Sequence, residues 1–456
     1  MKKYDAIFLG AGQAAPFLAA RMAAMGAKVA LIERKYLGGT CVNAGCMPTK
    51  TLVACAKTAE VARRASEFGV SSGINVSVDM NVVADRAEAV TLHARGGLAS
   101  WLNSLQTVDI VYGHARFIGE KTVSVDSECY CAPQIFINVG ARPYIPDVPG
   151  LATVPHLTSS SIIALRELPR HLIVLGGSYI GLEFAQMYRR FGAEVTIIER
   201  GPRVASREDL DISAAIADIL RQDQIELLLQ CDVTSIGKLD DDILVHTNKT
   251  TIRGSHLLVA VGRKPNTDDL GLERAGIDLD RHGYIVVNEH LQTSVDGVYA
   301  LGDCNGRGAF THTSYNDFEI VAANLLDGDD RKVSDRIVGY ALYIDPPLGR
   351  VGLSEQQALK AGYRLKISRR PMSKVGRAIE KGEVLGFMKL IADAETDRIL
   401  GAAILGTGGD EAIHSILTAM NLQAATSELK WAVPIHPTVS ELVPTLIGDL
   451  AYQEYA

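Results

Sequence analysis

The 456-residue chain contains no apolar run that approaches the roughly 20 residues of a membrane-spanning helix. Positive charge is not in excess either, since 46 Lys and Arg residues stand against 53 Asp and Glu residues without a basic cluster. Nucleic acids and anionic membranes are therefore poor candidate partners. Apolar residues make up 47% of the chain and charged residues 22%, which predicts a soluble globular protein of about three domains.

Cysteine is also scarce. The chain has seven cysteines, an odd number, and this does not favour the disulfide framework of a secreted protein. The start Met1-Lys2-Lys3 resembles a signal peptide, but Asp5 and the glycines that follow interrupt the apolar run that a signal peptide needs. We therefore expect a cytoplasmic protein with at most one catalytic disulfide.

Two of the cysteines, Cys41 and Cys46, lie in a stretch of small residues that ends at Lys50. A zinc site would need a second pair of ligands at a similar spacing, and no such pair follows in the sequence. The pattern instead indicates a redox-active disulfide beside a cofactor that can reduce it. We interpret Met47 and Cys304 as packing residues, and a part for either in the chemistry stays open.

The residues before this pair have the pattern of a dinucleotide-binding unit. The pattern predicts a strand over Tyr4–Leu9, a glycine turn from Gly10, a helix over Ala14–Met25 and a strand over Lys28–Ile32 that ends on Glu33. In such units the glycines let a pyrophosphate approach the backbone at a helix N-terminus, and the acid binds the ribose hydroxyls.

The same unit recurs later in the chain. A strand over His171–Leu175 precedes a turn that begins at Gly176, and the next strand ends on Glu199. Both glycine-to-glutamate intervals are 23 residues (33 − 10 and 199 − 176). Two dinucleotides, one of them beside a disulfide, suggest FAD in the first unit and a nicotinamide in the second.

The end of the second strand bears on the choice between NADH and NADPH. Glu199 would repel a 2′-phosphate and bond a free 2′-hydroxyl, which favours NADH. Arg200, Arg203 and Arg207 follow closely, and one of them could bind a phosphate. NADH is therefore favoured and NADPH is an open alternative.

These features together resemble the flavin-dependent pyridine nucleotide–disulfide oxidoreductases, the family of dihydrolipoamide dehydrogenase, glutathione reductase and mercuric reductase. The resemblance covers essentially the whole chain. Besides the two glycine turns it rests on the Cys-x4-Cys-x-Pro-x-Lys motif that ends at Lys50, on residues 293–303, and on His436-Pro437-Thr438 with Glu441.

The resemblance implies a role for each matching residue. Cys46 would be the thiol beside the flavin and Cys41 the interchange thiol that attacks substrate, while Lys50 and Glu183 would form an ion pair near the flavin. A helix beginning near Asn43 would lower the pKa of Cys46. The FAD residues implied are Gly10, Gly12, Gln13, Ala14, Glu33, Arg34, Gly39, Thr40, Lys50, His114, Ala115, Gly140 and Asp303. The NAD(P) residues implied are Gly176, Gly177, Tyr179 (a gate to the nicotinamide pocket), Ile180, Gly181, Glu199, Arg200 and Gly262.

His436 lies five residues before Glu441. A carboxylate bonded to one imidazole nitrogen fixes the tautomer, so that the other nitrogen can transfer a proton to a thiol. In the family this histidine reaches the cysteines of the other subunit. The resemblance therefore implies a homodimer whose active site is shared between subunits.

The fold class predicted is α/β, with two Rossmann-like, three-layer dinucleotide-binding domains and a C-terminal α+β dimerisation domain. We expect the FAD domain at 1–148 and 266–336, the NAD(P) domain at 149–265 and the dimerisation domain at 337–456. Strands over Phe387–Ala392 and Ile399–Leu405 and a helix over Asp410–Asn421 are predicted in the last of these.

The substrate is the least determined feature: a small-molecule disulfide or a metal ion. Mercuric reductases usually have a C-terminal cysteine pair and a tyrosine at the position of His436, whereas this chain has no cysteine after Cys304. Glutathione reductases place arginines where this chain has Leu18 and Glu319. The activity of a dihydrolipoamide dehydrogenase stays an open alternative.

Residues 308–318 and 345–353 resemble bacterial oxidant- and metal-stress flavoproteins. Some of these reduce copper(II), and thiolates bind soft metals well. No resident metal site is expected.

A function of another class is a flavoprotein that acts as a redox sensor or binding protein. The intact set formed by the two cysteines, Lys50, Glu183 and the His436–Glu441 pair argues for the enzyme.

Overall fold

The computed structural model describes residues 1–71 and 76–453. The chain end after residue 453, within the C-terminal segment compared above with mercuric reductases, lies outside the described residues. No helix in the described ranges combines the length and the hydropathy that a membrane crossing requires.

The strands of the described residues are, in chain order, β1 (Lys2–Lys3), β2 (Ala6–Leu9), β3 (Val29–Glu33), β4 (Val108–Tyr112), β5 (Ala115–Gly119), β6 (Thr122–Val125), β7 (Glu128–Cys131), β8 (Gln134–Ile137), β9 (Ala141–Pro143), β10 (Leu157–Thr158), β11 (His171–Leu175), β12 (Glu194–Ile198), β13 (Glu226–Leu228), β14 (Val233–Leu239), β15 (Asp242–Thr247), β16 (Thr251–Gly254), β17 (His256–Val259), β18 (Arg263–Pro265), β19 (Val298–Ala300), β20 (Gly339–Leu342), β21 (Leu348–Gly352), β22 (Leu365–Pro371), β23 (Phe387–Asp393), β24 (Ile399–Leu405) and β25 (Ala451–Tyr452).

The α-helices are α1 (Ala15–Ala24), α2 (Gly39–Ala44), α3 (Cys46–Arg63), α4 (Met80–Asn103), α5 (Tyr179–Phe191), α6 (Leu210–Gln222), α7 (Thr311–Ala322), α8 (Glu355–Lys360), α9 (Gly376–Glu380), α10 (Gly409–Asn421), α11 (Thr426–Leu429) and α12 (Val443–Gly448). Short 3₁₀ segments join several of these elements, and a π turn at Ala323–Asp327 follows α7.

Two parallel five-stranded sheets repeat one topology. The first has the order β19-β8-β2-β3-β4 and the second the order β10-β17-β11-β12-β13. In each sheet the strand before the glycine turn is central, and the strand that leads to the glutamate lies beside it. The carboxyl ends of these strands form the edge at which such sheets bind ligands. The predicted α/β fold with two dinucleotide-binding units is therefore confirmed.

An antiparallel layer accompanies each parallel sheet. Strands β5, β6 and β7 supply it in the first unit, and strands β14, β15 and β16 in the second. Phe8 of the first parallel sheet stacks on Phe136 with ring centroids 4.7 Å apart. Phe117 of the antiparallel layer belongs to the same buried core. Strands β9 and β18 pair where the chain passes between the two units.

The C-terminal part is built on a six-stranded antiparallel sheet of order β20-β21-β24-β23-β22-β25. Helix α10 packs on β21 and β24. The side chains of β23 and β24 are buried almost without interruption, because helices cover the sheet and its strands run through the core. The predicted C-terminal α+β domain is therefore confirmed.

Most predicted element bounds differ from the observed ones by a residue or two. The strand before the first turn begins at Ala6 rather than Tyr4, and the first helix covers Ala15–Ala24. Glu199 follows strand β12 rather than ending it. The prediction of a helix that begins near Asn43 is wrong. Two helices meet there, and their geometry belongs to the site.

Candidate active site

A single large cavity of about 2350 Å³ extends from the first glycine turn, past the two cysteines, to the second glycine turn. Every predicted cofactor residue lines it except Ala14, Gly177 and Gly181. Cys41, Cys46, Lys50 and Glu183 also line it. One continuous space thus joins the two predicted nucleotide units to the predicted redox pair.

The two glutamates have equivalent hydrogen bonds. Glu33 accepts from the backbone N–H of Ala11 at 2.9 Å and from that of Lys35 at 2.8 Å. Glu199 accepts from the N–H groups of Gly177 and Gly201, both at 2.7 Å. Each carboxylate therefore ties its glycine turn to the end of the neighbouring strand, and the sequence repeat is also a repeat of side-chain geometry.

The first glycine turn is shaped for close approach of a ligand to its backbone. A side chain at Gly12 would lie 2.5 Å from Oδ1 of Asn138, and one at Gly39 would lie 3.0 Å from the Cα of Gly12. Asn138 is buried, and its Oδ1 accepts from the N–H of Ala14 and Ala15 at 3.3 and 3.2 Å. Backbone rather than side chains therefore faces the cavity here, which fits a pyrophosphate at the start of α1.

Asn138 also holds Ala14, one of the expected FAD residues. That residue is fully buried behind the turn, and its N–H group is taken by Asn138 rather than directed at the cavity. Gln13 does line the cavity, and its side-chain amide donates to the carbonyl of Gly38 at 2.8 Å. The amide thus connects the glycine turn to the segment that carries the cysteines.

The predicted residues at the far end of the first unit cluster around Asp269. Arg34 lies 3.6 Å from its carboxylate, and Nε2 of His114 lies 3.3 Å from it. Asp303, by contrast, is partly buried on the cavity wall, 3.7 Å from Nε of Arg263. Burial raises the pKa of Asp303.

The second glycine turn is closely packed against helix α5. A side chain at Gly181 would lie 2.1 Å from the carbonyl oxygen of Gly176, so this glycine lets α5 pack against the turn. Arg200 and Arg207 line the cavity, whereas Arg203 does not and donates to the carbonyl of Ser206 at 2.8 Å. Gly262, with a φ of +141°, also lines the cavity.

The cysteines occupy two helices. Cys41 lies within the short helix α2, and Cys46 is the first residue of the 18-residue helix α3. Gly45 separates them with a backbone conformation outside the helical region, and a side chain there would lie 2.9 Å from the carbonyl oxygen of Thr40. The helix whose N-terminus faces Cys46 therefore begins at Cys46 itself.

Cys46 is held as the thiolate of the pair. Its Sγ lies 3.1 Å from Oγ1 of Thr311. The hydrogen bond from the Cys41 thiol is the largest cause that lowers the pKa of Cys46 to about 6, Thr311 and Lys50 add to it, and burial opposes it. The same hydrogen bond, together with burial, raises the pKa of Cys41. Both residues are free thiols in this structure, and near neutral pH the charge of the pair lies on Cys46.

Lys50 and Glu183 form the expected ion pair, with Nζ 2.8 Å from Oε2. Glu183 is buried, and its other oxygen accepts from the N–H of Tyr343 at 2.9 Å. The Lys50 ammonium lies 4.5 Å from the centroid of the Tyr343 ring. The cation is thereby fixed close to Cys46, whose thiolate it stabilises.

His436 lies away from this cavity. Its Nδ1 is 2.8 Å from Oε2 of Glu441, as predicted, but its side chain is 79% exposed and is absent from the cavity lining of the described residues. Trp431, Val433 and Ile435 just before it are 79, 96 and 80% exposed. One chain therefore does not bring His436 to its own cysteines.

Three residues that the sequence analysis missed support the redox segment. Thr311 contacts the sulfur of Cys46, and the ring of Tyr343 lies 4.5 Å from the Lys50 ammonium. Arg95 donates from Nε to Oδ1 of Asn43 at 2.7 Å, and its guanidinium lies 3.9 Å from the Tyr36 ring centroid. Thr311 follows the Asp303 motif closely in sequence and could have been suspected, whereas no local pattern marks Arg95.

The remaining cysteines do not join the pair. Cys304 is buried, donates to the carbonyl of Leu301 at 3.3 Å, and burial raises its pKa to about 12. Leu18, compared above with an arginine of glutathione reductases, is fully buried in α1, so that position does not test glutathione binding. Among the described residues no group of three or more His, Cys, Asp or Glu side chains is arranged to hold a metal ion.

Replacing Thr311 with valine should raise the pKa of Cys46, because a hydroxyl that donates to a thiolate favours the charged form. In the dithiol enzyme the thiolate is present above a pH of about 6 and is lost as the pH falls through that value. We expect T311V to move this midpoint upward by about half to one pH unit. The measurement is a pH titration of the long-wavelength thiolate–flavin absorbance. Thr311→Ser is the matched control, and an unchanged midpoint in T311V would show that the hydroxyl does not donate to Cys46.

Comparison with known proteins agrees with this geometry. The family model of the pyridine nucleotide-disulphide oxidoreductases matches residues 4–317. The model of their dimerisation domain matches residues 338–447. The chain belongs to the pyridine nucleotide-disulphide oxidoreductases. The second match supports a homodimer.

Individual relatives match over nearly the full chain. The probable pyridine nucleotide-disulfide oxidoreductase RclA of Escherichia coli is 36% identical, over 98% of this chain and 99% of its own length. The dihydrolipoyl dehydrogenase of Thermus scotoductus is 33% identical over 97% and 96%. The mercuric reductase of Bacillus cereus is 32% identical over 96% of this chain and 70% of the relative.

A solved structure gives the same result. The Cu(II) complex of the HOCl-induced flavoprotein disulfide reductase RclA from Escherichia coli superposes with a TM-score of 0.90 at 34% identity, covering 98% of this chain and 99% of that one. The chain is therefore an oxidoreductase with FAD and NAD(P)H as its cofactors, as the two nucleotide units indicated.

Proposed function

We propose that this protein is a stress-defence reductase that passes electrons from NADH through the flavin to the Cys41–Cys46 pair and on to a disulfide or a soft metal ion. The supporting observation is the Cys41–Cys46 pair itself, which lies in the cavity common to both nucleotide units with its charge on Cys46. When bound, FAD supplies two-electron chemistry between the nicotinamide and the sulfurs.

The two sulfurs would act in a fixed order. In the reduced pair Cys41 keeps its proton, because its pKa is raised by Cys46 and by burial. Once deprotonated, the Cys41 thiolate attacks a substrate disulfide, forms a mixed disulfide and releases one thiol. The Cys46 thiolate then attacks Sγ of Cys41, which restores the internal disulfide and releases the second thiol. One substrate disulfide is reduced, and one dithiol is oxidised.

The base for the first step would be His436 of a second subunit. The supporting observations are its hydrogen bond to Glu441, which orients the imidazole, and its exposure beside Trp431, Val433 and Ile435. An exposed apolar surface of this kind fits a homodimer interface. In the proposed dimer each active site takes its cysteines from one subunit and its histidine from the other.

The assignment of individual residues to the cofactors is part of this proposal. The cavity-lining residues named above from Gly10 to Asp303 would bind FAD, and those from Gly176 to Gly262 would bind the nicotinamide nucleotide. The domain boundaries expected from the sequence, 1–148 with 266–336, 149–265 and 337–456, go with this division. Glu199 favours NADH over NADPH, because its carboxylate would repel the 2′-phosphate that only NADPH has. We also propose a cytoplasmic location, which agrees with an odd number of cysteines, seven, that does not favour a secreted disulfide framework.

A soft metal ion is the substrate we favour over lipoamide. The relative RclA is described in complex with Cu(II), and another relative is a mercuric reductase. Two adjacent sulfurs, one of them a thiolate, are suitable ligands for such ions. One specific observation favours dihydrolipoamide dehydrogenase instead: the His436–Glu441 distance of 2.8 Å suits dithiol–disulfide exchange, and enzymes of that name are among the relatives.

The test is steady-state oxidation of NADH and NADPH by the holoenzyme with Cu(II), Hg(II), lipoamide, oxidised glutathione and an aromatic disulfide as acceptors. We expect NADH to be preferred and a metal ion to give the highest kcat/KM. Lipoamide exceeding both metal ions would instead assign a dihydrolipoamide dehydrogenase. A redox sensor would turn over none of these acceptors, and the absence of thiolate–flavin absorbance on titration with NADH would contradict the reductase.

A further inference from the structure

A buried carboxylate accepts two phenolic hydrogen bonds at the wall of the cavity. The hydroxyl of Tyr179 donates to Oε1 of Glu208 at 2.6 Å, and that of Tyr340 donates to the same oxygen at 2.7 Å. The two rings lie 5.4 Å apart. Both tyrosines line the cavity, whereas the Glu208 side chain is completely buried behind them.

Tyr179 stands between the second glycine turn and the redox pair. It opens helix α5 directly after that turn, one helical turn before Glu183, which pairs with Lys50. The family resemblance implies that Tyr179 is the gate to the nicotinamide pocket, and the ring lines the cavity between the two sites. If the nicotinamide binds there as proposed, the Tyr179 ring moves when it enters.

Glu208 cannot follow such a movement, because charged residues of the C-terminal domain fix its segment. Arg350 lies 3.7 Å from Oε2 of Glu208 and donates to Asp209 at 3.1 Å. Lys389, which is completely buried, donates to the same Asp209 carboxylate at 3.2 Å. Burial of these charges makes the segment costly to displace.

Tyr340 is also held in place. It lies in strand β20 directly opposite Arg350 of β21. Its ring stacks on Phe310 with centroids 5.5 Å apart and an angle of 15°, and Phe310 precedes the Thr311 that contacts Cys46. When Tyr179 leaves, Tyr340 remains as a hydrogen-bond donor to Glu208.

We propose that Tyr179, Glu208 and Tyr340 form a latch that sets how readily the nicotinamide pocket opens. Glu208 holds Tyr179 in the closed position. Tyr340 lowers the cost of opening, because it keeps the buried carboxylate hydrogen-bonded after Tyr179 has left. Glu208 and Tyr340 are positioning residues, and the inference rests on the proposed function, in which a nicotinamide occupies this part of the cavity.

Substitutions of the three latch residues should change the affinity for a nicotinamide in opposite directions. Tyr179→Phe removes the bond that closes the pocket, and Glu208→Gln replaces a charged acceptor with a weaker neutral one. Both should bind a nicotinamide more tightly, by about fivefold. Tyr340→Phe leaves Tyr179 as the remaining phenolic donor to Glu208 and should weaken binding by about threefold to fivefold.

The experiment is calorimetric titration of the oxidised holoenzyme with tetrahydro-NADH, which binds without transferring hydride. In the double variant, E208Q should change the dissociation constant of Y179F by less than about twofold, because the shared bond is already absent. Tyr188→Phe is the matched control, since Tyr188 is on the same helix and its hydroxyl is bonded to the carbonyl of Ile162. The control should bind as the wild type does.

Additive effects of Y179F and E208Q, or tighter binding by Y340F, would overturn the latch. An unchanged affinity in Y179F would also overturn it while leaving the proposed function intact. If the wild-type holoenzyme bound no tetrahydro-NADH, the proposed function itself would fail. Should E208Q not fold, the opposite signs expected for Y179F and Y340F still decide the matter.

Discussion

Replacing Cys41 with serine should lower disulfide turnover by on the order of a thousandfold or more, because no second thiol can take its place as attacking nucleophile. Flavin reduction by NADH should remain, since Cys41 is not required for hydride transfer. The long-wavelength thiolate–flavin absorbance should be present in C41S even before NADH is added, because the serine hydroxyl can donate to Cys46 in place of the thiol and Thr311 and Lys50 still stabilise the Cys46 thiolate. Absorbance spectra and steady-state NADH oxidation measure these effects.

Two further variants test the order of the sulfurs. Cys46→Ser should lose both turnover and the long-wavelength absorbance. Cys129→Ser is the matched control, because Cys129 is a partly exposed cysteine on strand β7 outside the cavity, and it should behave as the wild type does. Long-wavelength absorbance that survives in C46S and disappears in C41S would reverse the roles assigned to the two thiols.

Replacing His436 with alanine should lower disulfide turnover by about a hundredfold to ten-thousandfold. The physical reason is the raised pKa of Cys41, which leaves this thiol protonated unless a base removes its proton. Turnover of a metal ion should fall much less, because the metal ion itself competes with the proton for the sulfur of Cys41. Parallel kcat/KM measurements with a disulfide and with Cu(II) give the comparison, and equal losses would refute the proton-transfer role.

A histidine of the cavity near the cysteines provides the control. His312 lines the cavity within the same chain, and its Nε2 lies 2.7 Å from the carbonyl oxygen of Gly339. Burial lowers the pKa of His312. His312→Gln should leave disulfide turnover within a few-fold of wild type, and a large loss in this variant, with H436A unaffected, would move the base into the same subunit.

Mixed dimers extend the same prediction to the shared site. A heterodimer of one C41S subunit and one H436A subunit has one complete site, formed by the cysteines of the second chain and the histidine of the first. It should recover about half of the wild-type activity, although both homodimers are nearly inactive. A heterodimer as inactive as its parents would contradict the sharing of sites between subunits.

Local sequence pattern suffices to predict the buried strands and the two glycine turns. Strands β11 and β24 have the predicted bounds, since runs of β-branched and apolar residues define buried strands directly. The two glycine turns and their glutamates were predicted from equal spacing, and the structure adds matching hydrogen bonds to them. These features depend on residues close together in the chain, for which spacing is sufficient information.

Local pattern failed at the cysteines. The family resemblance implies a helix beginning near Asn43, but Gly45 divides the segment into α2 and α3, because its backbone lies against Thr40. The contact of Ala14 was not visible in the sequence either, since the partner of its N–H group, Asn138, is 124 residues away. The first feature depends on the backbone conformation of a single glycine, and the second on a contact that a window of neighbouring residues does not contain.

The sequence by itself determined the family, the cofactors and the identity of the redox pair, because each of these is written in motifs whose members are adjacent or regularly spaced. The tertiary structure alone decided which groups stabilise the Cys46 thiolate, since Cys41 of α2 and Thr311 of α7 must both reach Cys46 at the start of α3. It also decided that Glu208 and Tyr340 meet Tyr179, and that His436 lies on an exposed surface away from its own cysteines. The electrostatics of a site depends on distances in space, and only the folded chain sets them.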